Sequence, residues 1–477
     1  MKFKFLAVGV CVALLSGCAV DQQREVKHYR QVVEQRWPAT QAAIQPATLT
    51  LHEALSAANS LNERLNLSGE QYLQALIERD RAAGNFWPTL SLAPTYNVQE
   101  NTGGAANGGA SAANTRLDVP LSGQVNLFNG FRDLAALRRA RASVTQQQNL
   151  LLDAQEQLLL DVASAFYQVL QTEQLVAVLE NSLRLQEERV RDIQARQRVG
   201  TARPLDVAQT EAQASATRVA LIRARSDVRT GRQFLEFLIA VPVGERALLD
   251  PLTVRSPRAE VQEVQRVALE SRSDLQAAVA GIEAARQDVQ AAIGRYYPSI
   301  GLNVNYFLKR ETVPTDADWN ALLAANLPIF SAFQIEAAVR NAWSQFRQAK
   351  LSESLLRRQV LEQAAVAHEQ LASSRRRLVE LDVQVSAARE AFRQADQSYN
   401  VGLATNLERL VAQDRLLTAE LDLATENYSN KLLYLNLLRA VGRLTVTLQP
   451  LVHGRPATMP ATTTSPATLP ATMPRVK

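Results

Sequence analysis

The chain repeats itself, and this constrains its fold more than any other feature. LHEALSAANSLNERL from Leu51 aligns with VQEVQRVALESRSDL from Val261, and AGNFWPTLSLAPTY from Ala83 aligns at the same spacing with IGRYYPSIGLNVNY from Ile293. At a slightly smaller spacing, VNLFNGFRDLAALRRA from Val125 matches NLPIFSAFQIEAAVRNA from Asn326, and RQRVGTARPLDVAQTEAQA matches YNVGLATNLERLVAQDRLL from Tyr399. FLEFLIAV from Phe234 and YLNLLRAV from Tyr434 close the two halves. Five matches in one order define a tandem duplication. The repeats are placed at 51–250 and 251–450, and whatever one half folds into, the other must fold into as well.

Each half opens with strand-like alternation. Leu90, Leu92, Tyr96 and Val98 alternate with polar residues, and after a Gly/Ala/Asn loop Leu117, Val119, Leu121, Val125 and Leu127 do the same. The second half places Ile300, Leu302, Val304, Tyr306 and Leu308 on one face, then Trp319, Ala321, Leu323, Ala325, Leu327 and Ile329. Period two over about ten residues marks strands with one apolar and one polar face, as in a sandwich or a membrane barrel. Trp87, Tyr96 and Trp319 stand near strand ends, where interfacial aromatics collect.

Long proline-free helical stretches follow, about Arg132 to Arg198 and Phe333 to Asn400. At about 1.5 Å per residue each is roughly 100 Å long, far more than a globular domain needs. A shorter helix returns after each Val-Gly, making two helical hairpins with these glycines at the tips. Gly200 and Gly402 suit the left-handed residue that ends a helix. Thr405 and Glu408 form a capping box, while Pro204 and Asp206 take the first and third positions of their helix.

The flanks carry separate signals. Residues 1–17 have a lysine-bearing start and an apolar run too short to span a bilayer, which reads as an export signal. Leu15-Ser16-Gly17-Cys18 resembles a bacterial lipobox, so Cys18 is the expected acylated first residue of an 18–50 segment; a simple signal peptide is the alternative. Residues 451–477, rich in Pro, Thr and Ala, are expected to be disordered. The net charge of +5 is intermixed, with no basic block carrying interleaved aromatics, so nucleic acid is not an expected partner. The four histidines lie apart from other metal ligands, and no nucleophile elbow or phosphate loop is present. Neither an enzyme nor a cofactor is expected.

Four strands cannot close a barrel, for which about eight is the minimum. Three copies would give twelve strands and six hairpins. With this arrangement the chain resembles the TolC family of outer-membrane efflux and secretion channels over about Leu51 to Pro450. The motifs that carry the resemblance are ARQDVQAAIGRYYPSIGL, LPIFSAF and YNVGLATNLERL. It implies a mainly α fold with a membrane β-barrel, a homotrimer in the outer membrane, and an α-helical tunnel in the periplasm. Its tips would meet a periplasmic adaptor served by an inner-membrane pump or ABC transporter. Gly200, Asp206, Tyr399, Gly402 and Glu408 match the tip motif, and Asp206 and Glu408 would form an acidic ring or, alternatively, only cap helices. Ala404 and Val411 stand where some members place a gating arginine and a second acid. The segment after Cys18 looks helical where lipidated drug-efflux members are Pro-rich. Two other classes stay open: a periplasmic adaptor, which should carry one hairpin between compact β domains, and a coiled-coil lipoprotein, which should lack the alternating strands.

Overall fold

A computed structural model describes residues 22–37, 47–100, 113–250, 252, 254, 260–311 and 316–452. The export signal, Cys18, most of the Gly/Ala/Asn loop and the tail beyond residue 452 lie outside the described residues. Helix α1 (Gln22–Arg36) occupies the segment expected to be helical. The first repeat holds β1 (Thr48–Thr50), α2 (Leu51–Leu61), α3 (Glu63–Gly84), β2 (Thr89–Leu92), β3 (Thr95–Glu100), β4 (Ala113–Asn129), α4 (Arg132–Arg198), α5 (Pro204–Ile239) and β5 (Ala247–Leu249). The second holds α6 (Val261–Ser271), α7 (Ser273–Ile293), β6 (Ser299–Lys309), β7 (Trp319–Asn326), α8 (Gln334–Asn400), α9 (Asn406–Ala440) and α10 (Leu444–Val452). Helix α10 runs two residues into the expected tail.

Each repeat thus begins with a helix pair. Thr50 caps α2 through a reciprocal box with Glu53, and Asn62 caps α3 while its amide donates to the Leu238 carbonyl at 2.9 Å. Strand β1 pairs in parallel with β5, drawing the two ends of the first repeat together. The long helices α4 and α8 have 67 residues each, about 100 Å.

The larger sheet has the order β2-β4-β6-β7, with β3 also paired to β4, all antiparallel. Leu92, Leu121, Tyr306 and Trp319 lie opposite one another along one face, and Ser91, Ser122, Asn305 and Asn320 along the other. The two hairpins share one register. Thr89 faces Gln124 as Ser299 faces Asn326, and Tyr96 faces Leu117 as Tyr306 faces Trp319. Two differences from the sequence reading have physical causes. The first strand divides into β2 and β3 at Ala93-Pro94, where proline has no N–H to give the ladder. Strand β7 stops at Asn326, so Leu327 and Ile329 lie beyond it; Pro328, without an N–H, follows where β4 has Asn126, and β4 reaches Asn129 paired with β6.

The main apolar core sits partway down the hairpins. Leu151 to Leu170 of α4, Val360 to Leu371 of α8, and the ends of α5 and α9 enclose Tyr29, Val33 and Trp37 from the N-terminal segment. At its centre Glu156 is fully buried, 3.0 Å from Arg36 of α1 and 3.6 Å from Arg439 of α9. Burial pushes its carboxyl above the ordinary range, opposed by the two arginines. One carboxylate therefore joins the N-terminal helix and both repeats.

Candidate functional site

The tips are built alike. Gly200 and Gly402 both have φ of +79°, a left-handed conformation that glycine adopts freely. The Thr201 N–H donates to the Arg196 carbonyl at 2.8 Å, and the Leu403 N–H donates to that of Ser398 at 2.8 Å, each closing the end of the outbound helix. Val199, Val401 and Leu403 project beyond these turns, highly exposed.

The two acids at the return-helix starts differ. Glu408 is exposed and exchanges capping bonds with Thr405, accepting from its N–H at 2.8 Å. Asp206 is buried, and Arg203 grips both its carboxylate oxygens at 3.0 Å. The Arg203 guanidinium holds the Asp206 carboxyl below the usual carboxylate range. Both residues cap helices, and only Glu408 offers an uncompensated charge to solvent.

Behind the turns the two hairpins are bolted together. Asn406, buried at the start of α9, donates to the Asp206 carbonyl at 3.3 Å and to the Thr210 hydroxyl at 3.2 Å on α5. It accepts from Arg409 at 2.9 Å. The Arg409 guanidinium is buried 4.0 Å above the Tyr399 ring. Arg189 of α4 reaches Asp396 of α8 at 2.8 Å, and Gln213 of α5 reaches Asp414 of α9 at 3.1 Å. Gly200, Asp206, Tyr399, Gly402 and Glu408 are thus gathered at one end of the molecule, with Tyr399 half-buried beneath Arg409. Sequence reasoning missed Arg189, Arg203, Asp396, Asn406 and Arg409. Only Arg203 had a local signal, three residues before Asp206 at the helix start. Ala404 and Val411 lie on this tip as well, and Val411 lines an open groove between α8 and α9 with Ala387, Ala388, Ala391 and Ala412. Among the described residues no cluster of acids, histidines or cysteines suits a metal ion, and no helix is long and apolar enough to cross a membrane.

A family profile described as "Outer membrane efflux protein" matches residues 71–241 and 264–443, one span in each repeat. The chain is 27% identical over 328 residues to the outer membrane efflux protein BepC of Brucella suis, covering 67% of this chain and 70% of that one. It is 24% identical over 440 residues to the toluene efflux pump outer membrane protein TtgC of Pseudomonas putida, covering 86% and 85%. Its fold is similar to that of the Campylobacter jejuni CmeC outer membrane channel, with a TM-score of 0.76, 13% identity, and 84% and 88% of the two chains covered. With both repeats matched and the strand–strand–hairpin unit present twice, the chain belongs to the outer membrane efflux protein family.

Proposed function

We propose that three copies of the chain close one twelve-stranded barrel across the outer membrane. Their six hairpins project into the periplasm as a passive duct that is opened by an adaptor at the tips. The cargo arrives from an inner-membrane pump or ABC transporter, and no chemistry is performed in the channel. One observation carries this reading: the in-register sheet with an apolar and a polar face, unclosed within one chain, on hairpins about 100 Å long. In a bilayer the N–H and C=O groups along its two open edges would be unsatisfied, so such a sheet must pair with more strands there. The exposed Val199, Val401 and Leu403 suit an adaptor's helical ends better than open solvent.

A lipid anchor at Cys18 fits the same geometry. Helix α1 runs antiparallel to α3, with the Tyr29 ring against Gly69, where a Cβ would lie 2.4 Å from it, and with Trp37 bonded to Ser56. At about 1.5 Å per residue, Gln22 lies about 10 Å above Tyr29 while the α3 end at Gly84 lies about 22 Å above Gly69. The remaining gap of about 12 Å is within the span of the four residues from Cys18, about 13 Å when extended. An acyl chain on Cys18 could therefore reach the bilayer where the barrel begins.

Dye accumulation tests the reading. A strain lacking the chain should accumulate ethidium, and the full-length chain should restore efflux. A tip carrying Val401→Asp and Leu403→Asp should not restore it, although the protein still reaches the outer membrane. Unchanged accumulation on deletion, with loss of a secreted protein instead, would overturn efflux in favour of secretion. Mass spectrometry of the mature N-terminal peptide should show acylated Cys18; an unmodified terminus elsewhere would remove the anchor.

A further inference from the structure

The apolar face of the sheet runs on into a pocket beneath it. Leu127 is the extra residue of a bulge in β4, so Phe128 comes to lie opposite Ile300, on the face where Val125 lies opposite Leu302. The Phe128 ring meets Phe131 edge-on at 5.1 Å, and Phe131 meets Tyr297 at 6.4 Å. Phe131 and Tyr297 in turn line a cavity of about 620 Å³ between α4 and α7, with Leu134 and Ile293 beside them. Ordinary ligand sites have roughly 300–1,000 Å³. In the barrel reading above, on which the following rests, this face meets lipid, so the pocket opens at the edge of the bilayer's periplasmic leaflet.

The polar lining is ordered along the pocket. Arg138 lies seven residues along α4 from Phe131, about 10 Å, and helix side chains lean toward the N-terminus, here toward the apolar band. Its neighbour Arg139 is held by Asp288 at 2.8 Å, while Arg138 is exposed and in no ion pair among the described residues. Arg286 lines the pocket from α7 and approaches Glu283 only to 3.5 Å. Glu283 lies farther from the apolar band, about 16 Å along α7 from Gly294. Gln287 is 7% exposed, and its amide donates to Glu283 Oε1 at 2.6 Å. Its own Oε1 is buried and accepts from no donor among the described residues, an orphan that a ligand N–H would satisfy.

From the bilayer outward the pocket therefore offers apolar rings, then two guanidiniums, then a carboxylate beside an unused carbonyl. An aminophospholipid carries its groups in the same order: acyl chain, phosphate, ammonium. We propose that this pocket binds phosphatidylethanolamine of the periplasmic leaflet, with the phosphate on Arg138 and Arg286 and the ammonium on Glu283 and Gln287. Phosphatidylglycerol has no cation for Glu283, and the trimethylammonium of phosphatidylcholine has no N–H for Gln287. The lining is not a by-product of the duplication. Glu283, Arg286 and Gln287 correspond to Leu73, Leu76 and Ile77 of α3, so these polar groups are particular to the contact between α4 and α7.

Native mass spectrometry of the full-length protein in detergent tests the site, with dioleoyl phosphatidylethanolamine, phosphatidylcholine and phosphatidylglycerol titrated in turn. Wild type should retain phosphatidylethanolamine about fivefold better than either of the others, the worth of one charge-assisted hydrogen bond. Arg138→Ala with Arg286→Ala should lower that retention about tenfold, and Glu283→Gln should remove the preference over phosphatidylglycerol. Equal retention of the three lipids by wild type would overturn the site without recourse to any variant. So would undiminished retention by the double arginine variant in protein that still inserts and conducts ions. Wild-type protein that neither inserts nor conducts would overturn the barrel reading and the site with it.

Discussion

Asp206 and Glu408 occupy corresponding positions in the two repeats, yet only one presents its charge. Arg203 occupies both oxygens of Asp206, whereas Glu408 caps its helix and stays exposed. In the proposed assembly an acidic ring at the tips would therefore rest on Glu408. Glu408→Gln should lower cation selectivity, read as a shift in reversal potential, while Asp206→Asn should leave it nearly unchanged; the opposite order would return the ring to Asp206. Asp206→Asn should instead weaken the start of α5 by about 1 kcal/mol, the usual worth of a cap. Because the folded-state pKa of Asp206 is depressed, its contribution is complete above the unfolded carboxylate value and is lost as pH falls through the folded one. The melting difference between wild type and Asp206→Asn should accordingly be present at neutral pH and close in acid. The caps were legible because capping is local: Gly200, Gly402, Thr405 and Glu408 each declare their conformation within four residues. Arg203 neutralising Asp206 was not, since an arginine at a helix start is equally free to point into solvent.

The helical hairpins are the elements most clearly written in the sequence. Unbroken helical periodicity without proline marks Arg132 to Arg198 as one helix, and the structure has that helix. The strands are less legible because their ends depend on partners: Pro94 divides one, and β7 ends where its in-chain neighbour ends. The bolts between hairpins, Arg189–Asp396 and Asn406–Thr210, were not legible, because nothing local says which faces of two helices meet about 200 residues apart in the sequence. These bolts hold the hairpins of one chain together at the tip. Replacing Arg189 and Asp396 with alanine should raise the open probability of single channels without lowering the amount in the membrane. An unchanged open probability would mean that the tip is held elsewhere. Gly402→Ala should cost about 1 kcal/mol, through the positive φ alone.

At the scale of the whole molecule, the buried Glu156 joins the segment after the expected lipid anchor to both repeats, through Arg36, Arg439 and Asp153 beside it. Removing one member of such a buried set strands the others, so Glu156→Ala should destabilise the protein by about 3 kcal/mol and loosen α1 first. Limited proteolysis in the segment 22–37 checks the order of events. This node explains why the duplication alone does not describe the molecule: α1 has no counterpart among the described residues of the second repeat and fastens where the repeats meet. The proposed duct requires a water-filled path through a barrel that no single chain completes. Planar-bilayer recording of detergent-extracted protein, comparing wild type with the Arg189→Ala, Asp396→Ala variant, tests that requirement most directly. Discrete steps in both, with longer openings in the variant, are the predicted result; folded, bilayer-inserted protein that conducts in neither form would contradict it.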